Sequence, residues 1–528
     1  MSRSHSFESQ DGAWGHTLAD VRRRRGTLEA FAEVVEWCGK RARRMLALRA
    51  APRPSSAAFL VVVADVNGDS VARERTLASL RRQAHRRWRV AESTDGGRRL
   101  VKEAELVVLV TAGDVLHAHA LGWLAEAAAR QPLVDVFYTD EESFCSEQRI
   151  FRPFVKPAWS PDLLHALPYV LHALCVRGRL YAELGGPGAA SDEAAHYAFA
   201  LRATAGRHVA RVPRVLCRRT TRGLEPAVGL TVLRKHAAGL EPPADAEPGA
   251  APGTFRLVRP SSRPPVTLVV LTRDALVDLP GRGQVRVFAE FVTSIVARTT
   301  YPDWRLLVVD DGGLCPASLA AVERAGARRI TYSMPGAEFN FSDKVGFALP
   351  HVETEYFVLL NDDLEVIEPG WLEALVDYLV EPGVGIVGGK LIFADGRTQH
   401  AGVIAAGADG PTHRLYDRPA DADDGHGPAD VVRDLSAVTA AVMASRLDVV
   451  RRAGGFDPAF PRDYNDVDFC LRVRAAGFRV VYTPFALLYH FERSSLAPQP
   501  PAHEDLRMFR RRWGAWCRLD PYYPPGDF

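Results

Sequence analysis

Leu306-Leu307-Val308-Val309-Asp310-Asp311-Gly312-Gly313 is the stretch that decides the fold. A short, wholly apolar run suits a strand covered on both faces, and the abrupt change to Asp-Asp-Gly-Gly puts acids and a tight turn at its carboxyl end. The pattern returns at Tyr356-Phe357-Val358-Leu359-Leu360, which is followed by Asn361-Asp362-Asp363. Val266-Thr-Leu-Val-Val-Leu271 supplies a third run, leading to Thr272, and a helical stretch around Phe288 to Ala297 separates it from the first. Strands alternating with helices predict an α/β fold with a Rossmann-like, mainly parallel sheet, whose ligands sit at the carboxyl ends of the strands.

The chain makes this pass twice. Phe59 to Ala64 (FLVVVA), a helical stretch around Leu77 to Ala84 and a strand near Trp88 open an earlier round. SLRRQAHRRW (79–88) resembles SIVARTTYPDW (294–304), and Leu184-Gly185-Gly186 echoes Ala453-Gly454-Gly455. Phe199-Ala-Leu-Arg202 echoes Phe469-Cys-Leu-Arg472, and VPRVLCR (212–218) echoes TPFALLYH (483–490). Matches in the same order mark an internal repeat. The expected plan is a basic helical N-terminal extension and linker (1–57), a first α/β domain (58–222) and a Pro-, Ala- and Gly-rich linker (223–263). A second α/β domain (264–497) and a basic aromatic tail (498–528) follow.

Bulk properties narrow the function. With 528 residues, 47% apolar and 25% charged, the chain is ordinary globular protein of more than one core. A net charge of +2 gives no reason to expect a nucleic-acid partner. The seven cysteines are scattered without a C-x-x-C pair, which argues against a disulfide framework or structural zinc and for a reducing compartment. No apolar stretch is long enough for a transmembrane helix and no signal-peptide core is visible, so the cytoplasm is expected. Leu506-Arg-Met-Phe-Arg-Arg-Arg-Trp-Gly-Ala-Trp516 interleaves Arg with aromatics, which suggests peripheral association with anionic membranes. The alternative is a helix that packs Phe509, Trp513 and Trp516 onto the second domain.

Acids at strand ends hold the base and ribose of a nucleotide, or a hard divalent cation that bridges phosphate oxygens. Two further features join them. YNDVDFCLRVRAAGF (464–478) predicts a helix with Asp466 and Asp468 at its start, where capping or general-base roles are both open. His490 stands just past an apolar strand and is a candidate metal ligand. Paired carboxylates also serve glycoside hydrolysis, but that chemistry leaves the nucleotide-like strand ends unexplained. A nucleotidyltransferase would need a Gly-rich, basic phosphate loop after the first strand, and none is present.

In order, VTLVVLTRD (266–274), VVDDGG (308–313), FNFSDKVGFA (339–348), LLNDDLEV (359–366), QHAGV (399–403), GGFDPAF (454–460), YNDVDFCLRVRAAGF (464–478) and LLYHFERSS (487–495) resemble glycosyltransferase family 2. The likeness is greatest to the branch with rhamnosyltransferases and other cell-envelope polysaccharide enzymes. It implies a GT-A fold, inversion at the anomeric carbon, a nucleotide-diphosphate sugar donor and a glycan or lipid-linked glycan acceptor. It assigns Thr272 and Asp310 to the nucleotide, Lys344 to the diphosphate, Asn361 to the ribose and Asp362 to the same donor-binding motif. Asp363 and His490 become ligands of a divalent cation, Mn2+ or Mg2+, and Asp466 becomes the catalytic base. The Glu that precedes this base in the family is Asn465 here.

Aligning the repeats sets Thr94 against Asp310, Asp114 against the Asn-Asp-Asp motif, His196 against Asp466 and Arg218 against His490. The first domain is therefore expected to be a degenerate GT-A-like domain, with Asp140 to Glu142 as a solvated acidic turn. Replacing Asp95, Asp114 or Asp140 by Ala is expected to leave the rate on a small acceptor near wild type. The competing reading for the whole chain is an inactive scaffold of a polysaccharide-assembly complex. Retention of Asp310, Asp363, Asp466 and His490 in one domain favours the enzyme.

Overall fold

The structure is a computed structural model that describes residues 51–64, 68–91, 100–145, 150–188, 192–220, 223–259, 263–279, 282–333, 339–407, 410–491 and 503–524. The expected N-terminal extension up to residue 50, and Thr94 and Asp95, lie outside them. Two compact units emerge. The first runs to Leu257 and takes in Ala422–Pro428; the second comprises Val258–Asp421 and Ala429–Tyr523.

In the first unit, β1 (Phe59–Ala64) lies between β2 (Trp88–Val90) and β3 (Leu106–Thr111), parallel to both. β4 (Val115–Leu116), β5 (Val136–Cys145), β6 (Ile150–Phe154), β7 (Leu174–Arg177) and β8 (Val209–Arg219) complete the sheet. Its order is β2-β1-β3-β7-β5-β8-β4, with β6 beside β5. The helices are α1 (Ser70–Arg81), α2 (Ala120–Arg130), α3 (Pro161–Ala166), α4 (Gly178–Leu184) and α5 (Glu193–Thr204). Asp69 caps α1 through the amides of Val71 and Ala72, and Asp192 caps α5 through Ala195. Helix and sheet meet in a core that includes Val61, Val108, Leu121, Leu124 and Phe137, all fully buried.

The segment 223–263 is not a plain linker. It forms α6 (Pro226–Ala237) and a hairpin of β9 (Asp245–Pro248) and β10 (Phe255–Val258), and it buries Leu233, Ala237, Phe255 and Leu257. Pro226 pre-sets the first helical turn and Glu225 caps it by accepting from the Val228 amide. Pro in this position looks like a loop signal in the sequence although it starts a helix.

The second unit contains β11 (Val266–Leu271), a hairpin of β12 (Leu276–Leu279) and β13 (Gly283–Arg286), β14 (Trp304–Asp310), β15 (Arg328–Thr331), β16 (Tyr356–Leu360) and β17 (Leu364–Val366). β18 (Val384–Ile392), β19 (Thr398–His400), β20 (Val403–Ile404), β21 (Thr412–His413), β22 (Arg433–Asp434), β23 (Val442–Arg446) and β24 (Arg479–His490) follow. The main sheet runs β15-β14-β11-β16-β23-β18-β24-β17. Its helices are α7 (Val287–Arg298), α8 (Pro316–Arg324), α9 (Phe341–Ala348), α10 (Trp371–Leu379), α11 (Leu447–Ala453), α12 (Asn465–Ala475) and α13 (His503–Arg518).

With β15 set aside, this order is that of the first unit. β14-β11-β16-β23-β18-β24-β17 corresponds to β2-β1-β3-β7-β5-β8-β4, and every neighbouring pair has the same relative direction. Registers agree too: Phe59 faces Trp88 and Leu106, as Val266 faces Trp304 and Tyr356. The α/β class and the tandem repeat expected from the sequence are both present. Within the shared order most strands run one way, as expected, while β7 and β23 run against both of their neighbours. A strand buried on both faces is an apolar run whichever way it points, so its direction is not written in its composition.

Helix α13 follows the packing reading of the C-terminal run. Phe509 is fully buried, its ring 5.3 Å from that of Tyr464 and 6.5 Å from that of Phe460. The Trp513 indole donates to Asp468 Oδ1 at 2.9 Å, and Arg474 lies over Trp516 at 5.5 Å. These aromatics pack on the second unit instead of presenting an apolar face to lipid. Among the described residues, no helix is long and apolar enough to cross a membrane.

Candidate functional site

The site is built where the strands of the second unit end. β11 delivers Thr272, whose hydroxyl donates to Asp362 Oδ2 at 2.6 Å and accepts from the Asp274 amide at 2.8 Å. Two residues that sequence reasoning placed separately on the donor are thus joined to each other. Asp274 takes a left-handed backbone (φ +56°), which is unusual for a residue with a side chain. That conformation turns its carboxylate back onto the start of α8. There Oδ2 accepts from the Cys315 amide at 2.7 Å and Oδ1 from the Ser318 hydroxyl at 2.6 Å.

β14 delivers Asp310, which is buried yet bound on both oxygens. Arg329 on β15 donates from Nε to Oδ2 at 2.6 Å and from Nη2 to Oδ1 at 2.9 Å, and the Gly312 amide reaches Oδ1 at 2.5 Å. Burial alone would push this carboxyl up, but the guanidinium and the amide hold it below its ordinary value. Gly312 has φ +89°, the conformation that folds its N–H back to the acid. A carboxylate offers about four acceptor positions, and three of them are taken here.

Lys344, on α9, is buried and donates to the Thr272 carbonyl at 2.9 Å and to Asp311 Oδ1 at 2.6 Å. An ammonium has three N–H donors, so one remains for a phosphate oxygen. Asn340 caps α9 by accepting from the Asp343 amide, which fixes the helix end that carries the lysine.

Asp362 and Asp363 follow β16. Burial, and then the neighbouring charge of Asp363, push the Asp362 carboxyl up to about 6. Asp363 goes the other way: burial opposes ionisation, but His490 outweighs it and holds the carboxyl below its ordinary value. The pairing of β17 with β24 sets Leu364 opposite His490 and so brings Asp363 Oδ1 to 3.1 Å from His490 Nε2. Asn361, expected at the ribose, instead directs its amide to the same imidazole nitrogen at 3.3 Å. Two electron-pair donors 3.1 Å apart can share one cation, or a proton in its place. Among the described residues, no three His, Cys, Asp or Glu side chains form a group able to hold an ion by themselves. The pair therefore fits a divalent ion that takes its other ligands from water and substrate phosphate.

Asp466 and Asp468 differ completely. Neither caps α12, which starts from Tyr464 at φ +61°. Asp468 is fully buried and used up: Arg472 reaches it at 2.8 Å, Arg512 at 2.8 Å and Trp513 at 2.9 Å. Asp466 is half-buried and accepts only from nearby groups, the amides of Ala440 at 3.1 Å and Val467 at 2.8 Å and the Thr439 hydroxyl. Burial raises its pKa above the ordinary carboxylate range. A histidine pair not assigned from the sequence stands beside this group. His400 Nδ1 is 2.8 Å from His413 Nδ1, and the Thr439 amide donates to His400 Nε2 at 3.4 Å. Burial pushes the His400 pKa well below its ordinary value, which favours the neutral ring, and with Nε2 accepting from Thr439 the Nδ1 is the nitrogen placed to donate to His413. Gly402 turns the chain after β19 at φ +100°, where a Cβ would collide with Leu435, which accounts for the glycine in QHAGV.

The first unit has the same frame with different groups. Asp114 precedes β4 as Asp363 precedes β17, and Val115 faces Arg218 where Leu364 faces His490. Asp114 Oδ2 is taken by His172 at 2.8 Å and by the Thr111 amide at 3.1 Å. Residues 91–105, between β2 and β3, are too few to hold counterparts of α8, β15 and α9, which carry Arg329 and Lys344 in the second unit. The expected solvated turn at Asp140 to Glu142 is corrected: these acids lie in β5. Asp140 is held by Arg211 at 2.8 and 2.6 Å, Glu141 by the buried Lys156 at 2.7 Å and Glu142 by Arg218 at 2.8 Å. Burial works against the Glu141 charge, but Lys156, His172 and Arg219 hold its pKa at about 2. His196, at the position of Asp466, is pushed down to about 3 by burial and by His172.

Asp140→Ala is therefore expected to destabilise the protein by about 3–5 kcal/mol, because it leaves the largely covered guanidinium of Arg211 without its carboxylate, and Asp114→Ala by less, because the buried His172 imidazole can shed its proton. The check is chemical denaturation of the full chain. A loss below 1 kcal/mol for Asp140→Ala would show that the pair with Arg211 is dispensable.

The fold and site define a tandem α/β protein whose second unit gathers acids, a lysine and a histidine at its strand ends. Residues 264–513 match the family model described as glycosyltransferase like family 2. The match falls within the second unit, which is accordingly a glycosyltransferase family 2-like domain. It is 31% identical over 439 residues to an O-antigen biosynthesis protein of Myxococcus xanthus, covering 80% of this chain and 34% of that one. It is 27% identical over 226 residues to a pre-mycofactocin glycosyltransferase of Mycobacterium tuberculosis, covering 42% of this chain and 44% of that one. The chain thus spans about a third to under a half of these relatives' lengths. A mannosyltransferase of Pyrobaculum calidifontis solved with GDP-Man and Mn2+ is 17% identical with a TM-score of 0.30, over 50% of this chain and 64% of that one, a likeness too slight to build on.

Proposed function

We propose that the second unit transfers a sugar from a nucleotide-diphosphate donor to a glycan or lipid-linked glycan acceptor, with inversion at the anomeric carbon, in the synthesis of a cell-envelope polysaccharide. The family-2 match of residues 264–513 and the O-antigen biosynthesis relative support the reading. The observation that carries it is that Asp310, Lys344, the Asp363–His490 pair and Asp466 all belong to one unit and arise from its strand ends and adjoining helices.

Thr272 and Asp310 would hold the base and ribose, and the third N–H of Lys344 would meet a diphosphate oxygen. Asp363 and His490 would hold Mn2+ or Mg2+, which supplies charge neutralisation at the departing diphosphate. Asp466 accepts the proton of the acceptor hydroxyl while that oxygen bonds to the anomeric carbon. The bond from this carbon to the diphosphate breaks on the opposite face, which inverts the centre. A carboxylate whose pKa is raised toward neutrality is a stronger base than an exposed one.

The test is release of nucleoside diphosphate from a panel of hexosyl and rhamnosyl nucleotide donors with Mn2+ present, with and without acceptor glycan. Rhamnosyl donors come first, because of the branch that the motifs resemble. No release from any donor would leave the scaffold reading standing. Arg329→Gln is expected to raise the donor KM roughly tenfold with little change in kcat. The reason is that its guanidinium orients Asp310, which serves binding in ground and transition states alike. Steady-state kinetics decide this, and an unchanged KM would detach Arg329 from donor binding.

A further inference from the structure

A groove of about 680 Å3 opens beside α13 in the second unit. One wall is apolar, made by Phe339, Pro458, Pro461 and Met508. The other carries Arg507 and Arg511, one turn apart on one face of the helix. Among the described residues these two arginines form no hydrogen bond or ion pair, although Arg512 on the same helix is bound to both Asp457 and Asp468. Like charges at this spacing repel, so an unpaired pair facing a groove is a cost that a bound anion would remove. Two acids line the same groove. Asp505 is buried and accepts from the Asp463 amide at 3.1 Å, which leaves Glu504 as the exposed negative charge.

The groove also lies at the right place. Asn340, in its lining, donates to the Pro458 carbonyl at 2.8 Å and caps the helix that carries Lys344. Asp463, bonded to Asp505, precedes Asp466 by three residues, a reach of about 10 Å at most along the chain. The groove is thus walled by the two segments that carry the diphosphate-side lysine and the proposed base.

We propose that this groove binds the phosphate or diphosphate of a phosphate-linked acceptor glycan. Arg507 and Arg511 hold the anion, and the exposed ring of Phe339 offers a face for the sugar whose hydroxyl points to Asp466. The assignment rests on the transferase reading above, which it deepens by naming the acceptor's chemical class.

The experiment is calorimetric titration of the full chain with inorganic pyrophosphate in the presence of EDTA. Wild type is expected to show saturable binding. Arg507→Gln/Arg511→Gln should weaken it at least tenfold, while Lys344→Ala, which removes only the donor-side contact to a diphosphate, should keep the component that depends on the two arginines. Both arginines are exposed, so the double variant should melt with the wild type; Arg507→Lys/Arg511→Lys, which keeps the charge but loses the fork, should fall between. The same titration with farnesyl diphosphate distinguishes sources: tighter binding than pyrophosphate marks a lipid-linked acceptor, and equal binding a water-soluble one. Absence of binding to wild type, or loss in Lys344→Ala with none in the arginine variant, overturns the assignment. So does sedimentation with phosphatidylglycerol vesicles that depends on the same arginines while pyrophosphate does not bind, since that makes the patch a membrane contact. Failure of donor hydrolysis would sink the transferase reading and leave the pyrophosphate result intact, so the two are separable.

Discussion

Asp466→Asn is expected to lower turnover by about 10²–10⁴-fold while donor binding stays near wild type, the usual cost of losing a general base. The substitution is nearly isosteric. Asp466 takes hydrogen bonds from Ala440, Val467 and the Thr439 hydroxyl, and an asparagine keeps its oxygen toward one backbone amide and turns its NH2 toward the other, a local loss that leaves the buried face of α12 in place. Asp468 is the contrast. Its carboxylate joins Arg472, Arg512 and Trp513, so Asp468→Asn should cost stability first and activity only in consequence. Burial raises the Asp466 pKa, so the ionised base is lost as pH falls through a value above the ordinary carboxylate range. Across that same interval the folded state binds the proton more tightly than the unfolded one, so this group's contribution to stability rises as pH falls. An acid limb in kcat without a parallel fall in melting temperature is the signature. Near-wild-type turnover in Asp466→Asn would remove the residue from the role.

What the sequence revealed followed from how local each signal is. An apolar run that ends in acids marks a strand end wherever it occurs, so Asp310 and the Asn361 to Asp363 motif were visible, and the order of motifs brought in Lys344, Asp466 and His490. Arg329 was not visible. It lies in an arginine-rich chain and becomes important only because β15 pairs with β14 beside Asp310. Asp274 stood inside a quoted motif, but its work depends on a left-handed backbone and on partners in α8 more than forty positions away. His400 and His413 meet through strand turns that periodicity does not describe. The acids of β5 misled in the opposite direction: Asp-Glu-Glu is turn-like composition, and only pairing with β8 shows that Arg211 and Arg218 neutralise two of them.

Asp363→Ala and His490→Ala should each raise the Mn2+ concentration needed for half-maximal activity at least about tenfold, since loss of even an outer-shell partner costs 10–100-fold in metal affinity. If both side chains serve one ion, the double variant should be no worse than the more damaging single one, because residues that act as a unit are not additive. Metal binding to the full chain gives a readout that does not depend on turnover. One ion per chain is expected rather than two, although the sheet is repeated. In the first unit Arg218 stands where β24 places His490, and a guanidinium has no lone pair to give a metal. Asp114, at the position of Asp363, is already held by His172 and the Thr111 amide. His490→Arg is therefore the most informative variant, because it puts at this strand position of the second unit the guanidinium that the first unit carries there. It should abolish the ion while the fold persists. Full wild-type activity in excess chelator, or two ions bound with equal affinity, would defeat this account of both sites.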